Sequence, residues 1–243
     1  MRLDKFLSDL GIASRRKIVH LIKSGKVKIN GKKVKNPGIK VNPDLDLIEV
    51  EGILITALPK KHYYKFYKPK GYITSKADKA PTVMDLLPSY LPGLKKIFPV
   101  GRLDKDAEGL LIFTDDGLLA HRIMHPKWKL TKIYYVQIDK EITEKDLEKL
   151  EEGIELSDGR TLPCKISILD STQKFLQVEV KEGRYHLIKR MFGKLGYKVL
   201  ELKRVAIGPI RLGDLKPSQI VPLSSEEIYL LKKSSRVKRL RYI

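Results

Sequence analysis

Residues 56–61 (TALPKK) follow no hydrophobic period and contain Pro59, and this break constrains the fold more than any other feature. It divides the chain into a small module, residues 1–58, and a larger domain, residues 62–235, each of which must build its own core. Beyond them lies a basic tail, residues 236–243. The last twelve positions of the chain carry six Lys or Arg and no acid.

In the small module Leu3, Phe6, Leu7 and Leu10 recur at helical spacing, and Gly11 is a stop signal. Ser14 is placed to cap a second helix that opens on Arg15-Arg16-Lys17 and buries Ile18, Leu21 and Ile22, with Gly25 as its breaker. Val27 and Ile29 then alternate with lysines as far as Asn30-Gly31, a pair that favours a two-residue hairpin turn. A further strand fits residues 45–50. Two helices and a hairpin, with basic residues clustered on the second helix, make a phosphate-binding face.

The larger domain alternates irregularly. Strand patterns cover residues 63–67, 110–114, 133–138, 165–169, 175–180 and 199–204; helical patterns cover 118–124, 143–150 and 185–195. Thr143, with Asp146 three residues on, has the form of a capping box. Many strands with few helices predict an α+β domain on a mixed, largely antiparallel sheet.

Charge narrows the function. The 243 residues carry 49 Lys plus Arg against 29 Asp plus Glu, a formal net of +20. Such an excess attracts a polyanion: RNA, DNA or an anionic membrane. No apolar run approaches the roughly 18 residues that span a bilayer, and the opening MRLDKFLSDL lacks the apolar core of a signal peptide. Nucleic acid therefore leads. Cys164 is the only cysteine, so neither an internal disulfide nor a cysteine-rich zinc site is available, and a cytoplasmic monomer is expected.

Three segments carry candidate chemistry. In PVGRLDKDAEGLLIFTDDG, residues 99–117, a loop with Gly101 and Arg102 presents Asp104, and Gly109 precedes an apolar strand. Taken alone, an aspartate in such a turn is more often a surface residue than a catalyst. In KIYYVQI, residues 132–138, Tyr134, Val136 and Ile138 share one strand face and Tyr135 takes the other. One ring is expected in the core and the other beside a ligand. In EGRYHLIKRMFGKLGYKVLELKR, residues 182–204, Gly183 opens a helix bearing Lys189 and Arg190, which also reads as a basic face toward RNA. His121 and His125 lack neighbouring ligands for a metal, and Asp115-Asp116-Gly117 reads as a turn.

Two resemblances emerge from these residues. MRLDKFLSDLGIASRRKIVHLIKSGKVKINGKKV resembles an S4 domain, an RNA-binding module. That likeness implies that Arg15, Arg16, Lys17, Lys26, Lys28 and Lys32 contact RNA backbone. GRLD-x4-GLL, K-x-Y-x-V and EGRYH-x-x-KRMF, in that order, with YYKFYKPKGYITS and PLSSEEI, resemble the RsuA group of ribosomal RNA pseudouridine synthases. The likeness runs from Met1 to about Leu231. It departs at Leu187, a place often filled by Gln, and at Thr131, often Glu.

The second resemblance implies site-specific isomerisation of uridine to pseudouridine in ribosomal RNA, small-subunit rRNA first. The substrate would be rRNA itself or a ribosome-assembly intermediate. It also implies Asp104 as catalytic carboxylate, Tyr134 as the active-site tyrosine and Lys189 as the basic partner keeping Asp104 charged. Arg102 would hold the flipped-out nucleotide, Arg190 would face RNA, and Leu200 or Leu202 would floor the pocket. No cofactor and no metal are expected: the isomerisation needs neither redox equivalent nor phosphate donor, and the chain has no G-x-G element. The rival reading is a noncatalytic RNA-binding or ribosome-assembly factor on the same scaffold.

Overall fold

A computed structural model describes residues 1–42, 46–55, 61–125 and 130–235. The chain forms two compact units, Met1–Lys60 and Lys61–Ile243. The expected basic tail and most of the expected linker lie outside the described residues.

In the first unit, α1 (Leu3–Asp9) and α2 (Arg15–Lys23) precede β1 (Val27–Ile29), β2 (Lys32–Lys33), β3 (Ile48–Val50) and β4 (Ile53–Ile55). The four strands form an antiparallel sheet in the order β2-β1-β3-β4. Ile29 faces Lys32 across the hairpin, and Asn30 and Gly31 both take positive φ, as the primed turn requires. Leu3, Leu7, Ile18 and Ile22 are fully buried with Val27 and Ile48. The Ser14 hydroxyl caps α2 at the Lys17 N–H.

Asp4 ties the two helices together. Its side chain is 3% exposed and receives Arg2 Nε at 3.0 Å and Arg15 Nη2 at 2.9 Å. The Arg2 hydrogen bond is the main cause that holds the Asp4 carboxyl down at about 2. A carboxyl held below its unfolded value stabilises the fold above that value, and the stabilisation is lost as pH falls through the folded pKa. Both guanidiniums are more than half exposed, so screening limits the contribution to about 2 kcal/mol or less. Hydrogen-exchange protection of α1 and α2 is expected to fall between about pH 5 and pH 2 in the parent chain. Asp4→Asn should be less protected at pH 5 and lose less in acid; an identical acid loss in both chains would assign it to other carboxylates.

The second unit runs β5 (Tyr63–Lys68), a 3₁₀ turn (Val83–Leu86), β6 (Phe98–Val100), β7 (Glu108–Thr114), α3 (Gly117–Met124) and β8 (Lys132–Ile138). Then come α4 (Glu144–Glu152), β9 (Glu155–Leu156), β10 (Gly159–Arg160), β11 (Lys165–Ile168), β12 (Phe175–Val180) and α5 (Leu187–Lys194). Last are β13 (Val199–Ile207), β14 (Ile210–Arg211), β15 (Ile220–Pro222) and α6 (Ser225–Ser234). Nine strands form one sheet along β11-β12-β8-β13-β7-β5-β15, with β14 on β13 and β6 on β7. The predicted α+β class with a mixed, largely antiparallel sheet is what forms.

Among the described strands only β7 and β13 pair in parallel, with Lys203 opposite Glu108 and Arg204 opposite Gly109. This seam joins two antiparallel halves, each with its own core: Val136, Leu176, Val178, Met191 and Phe192 in one, Leu110, Ile112, Leu119 and Ile210 in the other. Gly109 permits the seam. Its φ is +107°, and a Cβ there would lie 2.3 Å from the Arg204 carbonyl oxygen.

Some expectations shift. The helix predicted from residue 185 begins at Leu187, because His186 adopts the left-handed conformation (φ 48°, ψ 32°), and residues 182–186 form a loop instead of the helix start expected at Gly183. Thr143 caps α4 at the Asp146 N–H. The return half of the expected box is replaced: the Tyr197 hydroxyl accepts from Thr143 N and donates to Asp146 at 2.9 Å. α6 was not anticipated, although Ser224 and Glu227 close a complete capping box at its start.

Candidate active site

A cavity of about 330 Å³ opens at the seam, within the usual range for small-ligand sites. Asp104 enters it from the loop between β6 and β7, with its side chain 22% exposed. Buried groups behind the loop fix its backbone. Lys68 is wholly buried, and its ammonium donates to the carbonyls of Pro69 (3.1 Å), Asp104 (2.8 Å), Lys105 (3.3 Å) and Ala107 (2.7 Å). Thr74 brackets Leu103, accepting from its N–H at 3.1 Å and donating to its carbonyl at 2.7 Å. Arg204 donates to the carbonyls of Leu110 at 2.9 Å and Arg102 at 3.2 Å. Burial pulls the Lys68 ammonium down to about 8, while Asp104 and Asp106 act to raise it.

β8 and β13 supply the wall. Their register sets Tyr134 opposite Arg204 and Val136 opposite Leu202. The strand period puts Lys132 on the Tyr134 face, and Lys132, Tyr134, Leu202 and Arg204 all line the cavity. Tyr135 points to the other face and packs edge-on against Phe175 at 5.6 Å. Of the two leucines considered for the pocket floor, Leu202 lines the cavity and Leu200 is exposed. Leu187, one of the two departures from the family pattern, also lines it.

The loop before α5 closes one side. The left-handed backbone of His186 brings its Nε2 to 3.5 Å from Asp104 Oδ1, longer than a normal hydrogen bond. The Tyr185 ring stacks on it with centroids 3.8 Å apart. The expected Lys189–Asp104 pair does not form. Lys189, in the first turn of α5, puts its ammonium on Asp106, on the outer side of the loop, and this hydrogen bond holds the Asp106 carboxyl below its usual range. Arg190, expected on RNA, is engaged with Asp158, which Arg184 also grips at 2.9 Å. Arg102 is exposed on the cavity lining.

The basic residues of the first unit divide in the same way. Arg15 is engaged with Asp4, Lys26 with Glu51 at 2.8 Å and Lys28 with Glu49 at 3.1 Å. Arg16, Lys17 and Lys32 are exposed, and none forms an ion pair within 4 Å among the described residues. The Asp115-Asp116 pair is structural, as its turn reading predicted. Asp115 takes the His62 N–H and ring nitrogen, both at 2.9 Å, while Asp116 caps α3 and takes the Tyr63 hydroxyl.

A carboxylate in a cavity walled by an aromatic ring and cations, in a chain this basic, defines an enzyme that acts on a nucleic acid. Residues 62–194 match the RNA pseudouridylate synthase family and residues 1–47 match the S4 domain. The chain belongs to the RNA pseudouridylate synthase family, and it is an isomerase that acts on uridine in RNA. A protein of Aquifex aeolicus, described as an uncharacterized RNA pseudouridine synthase, is 42% identical over 98% of this chain and 96% of its own length. Ribosomal large subunit pseudouridine synthase B of Bacillus subtilis is 38% identical, covering 95% of each chain. A crystal structure of a pseudouridylate synthase superposes with a TM-score of 0.68 at 36% identity, over 95% of this chain and 99% of the other. The resemblance to the RsuA group is borne out, and the noncatalytic reading falls. No described helix is long and apolar enough to cross a membrane.

Proposed function

We propose that this chain isomerises one uridine of ribosomal RNA, with Asp104 as its catalytic carboxylate. The observation that carries the reading is Asp104 itself, presented to the cavity by a loop fixed through buried Lys68, Thr74 and Arg204. Such fixed geometry favours one reaction trajectory. Asp104 either attacks C1′ of the ribose or removes the C2′ proton. Tyr134 stacks on the extruded base, Leu202 packs against its edge, and Arg102 takes the phosphodiester at the mouth. Lys189 acts through Asp106 by holding the outer side of the loop. Residues 1–58 supply affinity and placement, with Arg16, Lys17 and Lys32 on RNA phosphates. Residues 62–235 perform the chemistry, in a monomer of the cytoplasm.

The RsuA resemblance points to small-subunit rRNA, whereas the named Bacillus subtilis relative supports the large subunit. Mapping pseudouridine in both rRNAs, in cells with and without this gene, tests the reading. One site lost with the gene and restored by it, but not by its Asp104→Asn variant, is expected; unchanged maps of both rRNAs would overturn the ribosomal assignment.

A further inference from the structure

Two cations of the cavity wall are only partly engaged by the protein, and the unpartnered Arg204 nitrogen is closed off from solvent. Arg204 is 3% exposed and lines the cavity, and its Nη2 has no hydrogen-bond partner among the described residues. Lys132 lines the same wall and donates one hydrogen bond, to the Leu130 carbonyl at 3.2 Å. The acids of the lining are Asp104 and Glu182, and the hydrogen bonds of Glu182 go elsewhere. Glu182 takes Arg184 Nε at 2.9 Å and the Leu162 N–H at 2.7 Å. Burial, and then Arg204, lower the Lys132 ammonium to about 8, while Glu182 acts to raise it. Two like charges side by side in a dry wall call for an anion.

The register identifies that anion. Arg204 sits opposite Tyr134, and Lys132 lies two residues along the same face of β8. A base stacked on Tyr134 therefore lies beside both cations, whereas a phosphodiester stays at the mouth with exposed Arg102. Resting on the proposed uridine isomerisation, the charge that develops there follows from the chemistry. Whether Asp104 bonds to C1′ or takes the C2′ proton to leave a C1′=C2′ double bond, the C1′–N1 electron pair departs with uracil. The detached base is an anion, with charge shared between N1 and its carbonyl oxygens. The charge disappears when C5 bonds to C1′, as the Asp104–C1′ bond breaks or Asp104 returns its proton to C2′; the C5 proton then leaves and N1 gains a proton.

We propose that Lys132 and Arg204 form an anion-stabilising pair for detached uracil, their positive charge offsetting its negative charge between scission of C1′–N1 and formation of C1′–C5. Fixed positive charge beside a group that becomes an anion only after scission lowers the barrier without tightening ground-state binding. Lys132 is the residue to test, because Arg204 also holds the seam and the Asp104 loop.

The experiment compares the full-length parent, Lys132→Met and Lys132→Arg on target RNA bearing either uridine or 5-fluorouridine at the site. Consumption of the N-linked nucleotide is followed under single-turnover conditions at saturating RNA. Fluorine withdraws electrons, so detached 5-fluorouracil carries its own charge better and depends less on the protein. Lys132→Met is expected to slow uridine about a hundredfold and 5-fluorouridine less than about tenfold. Lys132→Arg keeps the charge and should recover most of the uridine rate. Equal slowing of both substrates, or none, would overturn the inference, as would weaker RNA binding at an unchanged saturated rate, which places the pair on a phosphodiester. A parent chain that consumes no uridine overturns the functional reading as well, which separates the two failures.

Discussion

Asp104→Asn is expected to fold and bind RNA as the parent does, and to convert uridine at least about a thousandfold more slowly. The expectation of intact structure comes from how the loop is held. Lys68 binds the Asp104 carbonyl at 2.8 Å and Thr74 binds both main-chain groups of Leu103, so no fixing bond passes through the carboxylate. The nearest side-chain nitrogen recorded against that carboxylate is His186 Nε2, at 3.5 Å. An amide of the same shape fits the same space, yet it is neither a useful nucleophile nor a base. Tritium release from RNA labelled at uridine C5 follows the reaction, because the C5 proton leaves in every turnover. A rate within tenfold of the parent, at matched RNA affinity, would remove Asp104 from the chemistry.

What the sequence shows of this site depends on how local each signal is. The Asn30-Gly31 hairpin and the Ser14 cap involve neighbours only, and both form as expected. The seam between β7 and β13 pairs residues nearly a hundred positions apart, and no local pattern announces it. Lys68 left a readable trace: Tyr64, Phe66 and Lys68 share one strand face, so a lysine stands on an apolar row. Lys132 and Arg204 stand likewise on the faces of Tyr134 and Leu202. A cation there reads as surface until the register shows both faces covered. The Lys189–Asp104 pairing failed for a different reason. The family motif gives the order of the residues, but only the left-handed turn at His186 decides which side chain reaches which aspartate. Arg15, Lys26 and Lys28 read as free cations because ion pairing with Asp4, Glu51 and Glu49 is a tertiary property.

Lys68→Met separates loop geometry from global stability. Methionine matches the length of lysine but leaves its carbonyl partners without the ammonium. The Asp104 carbonyl still accepts from Ala107 N at 3.1 Å and the Lys105 carbonyl from Gly71 N at 2.7 Å, so the loss falls mainly on Pro69 and Ala107. Two weakened buried carbonyls cost about 2–6 kcal/mol. Removing a buried charge offsets part of this, because an ammonium lowered from 10.5 to about 8 carries about 3 kcal/mol of unfavourable burial. The net change in stability is therefore small, between a gain of about 1 and a loss of about 3 kcal/mol, and the larger effect is on rate. A catalytic loop displaced by about 1 Å loses about a hundredfold, so single-turnover conversion should fall by that factor at unchanged RNA affinity. Linkage supplies an independent check. Between about 8 and 10.5 the unfolded chain holds a proton on Lys68 that the folded chain has released, so stability rises with pH across that window. The difference in unfolding free energy between the parent and Lys68→Met should grow from pH 8 to pH 10. A difference that stays flat would show that the buried ammonium is not strained, and a full catalytic rate in Lys68→Met would show that the loop needs no such anchor.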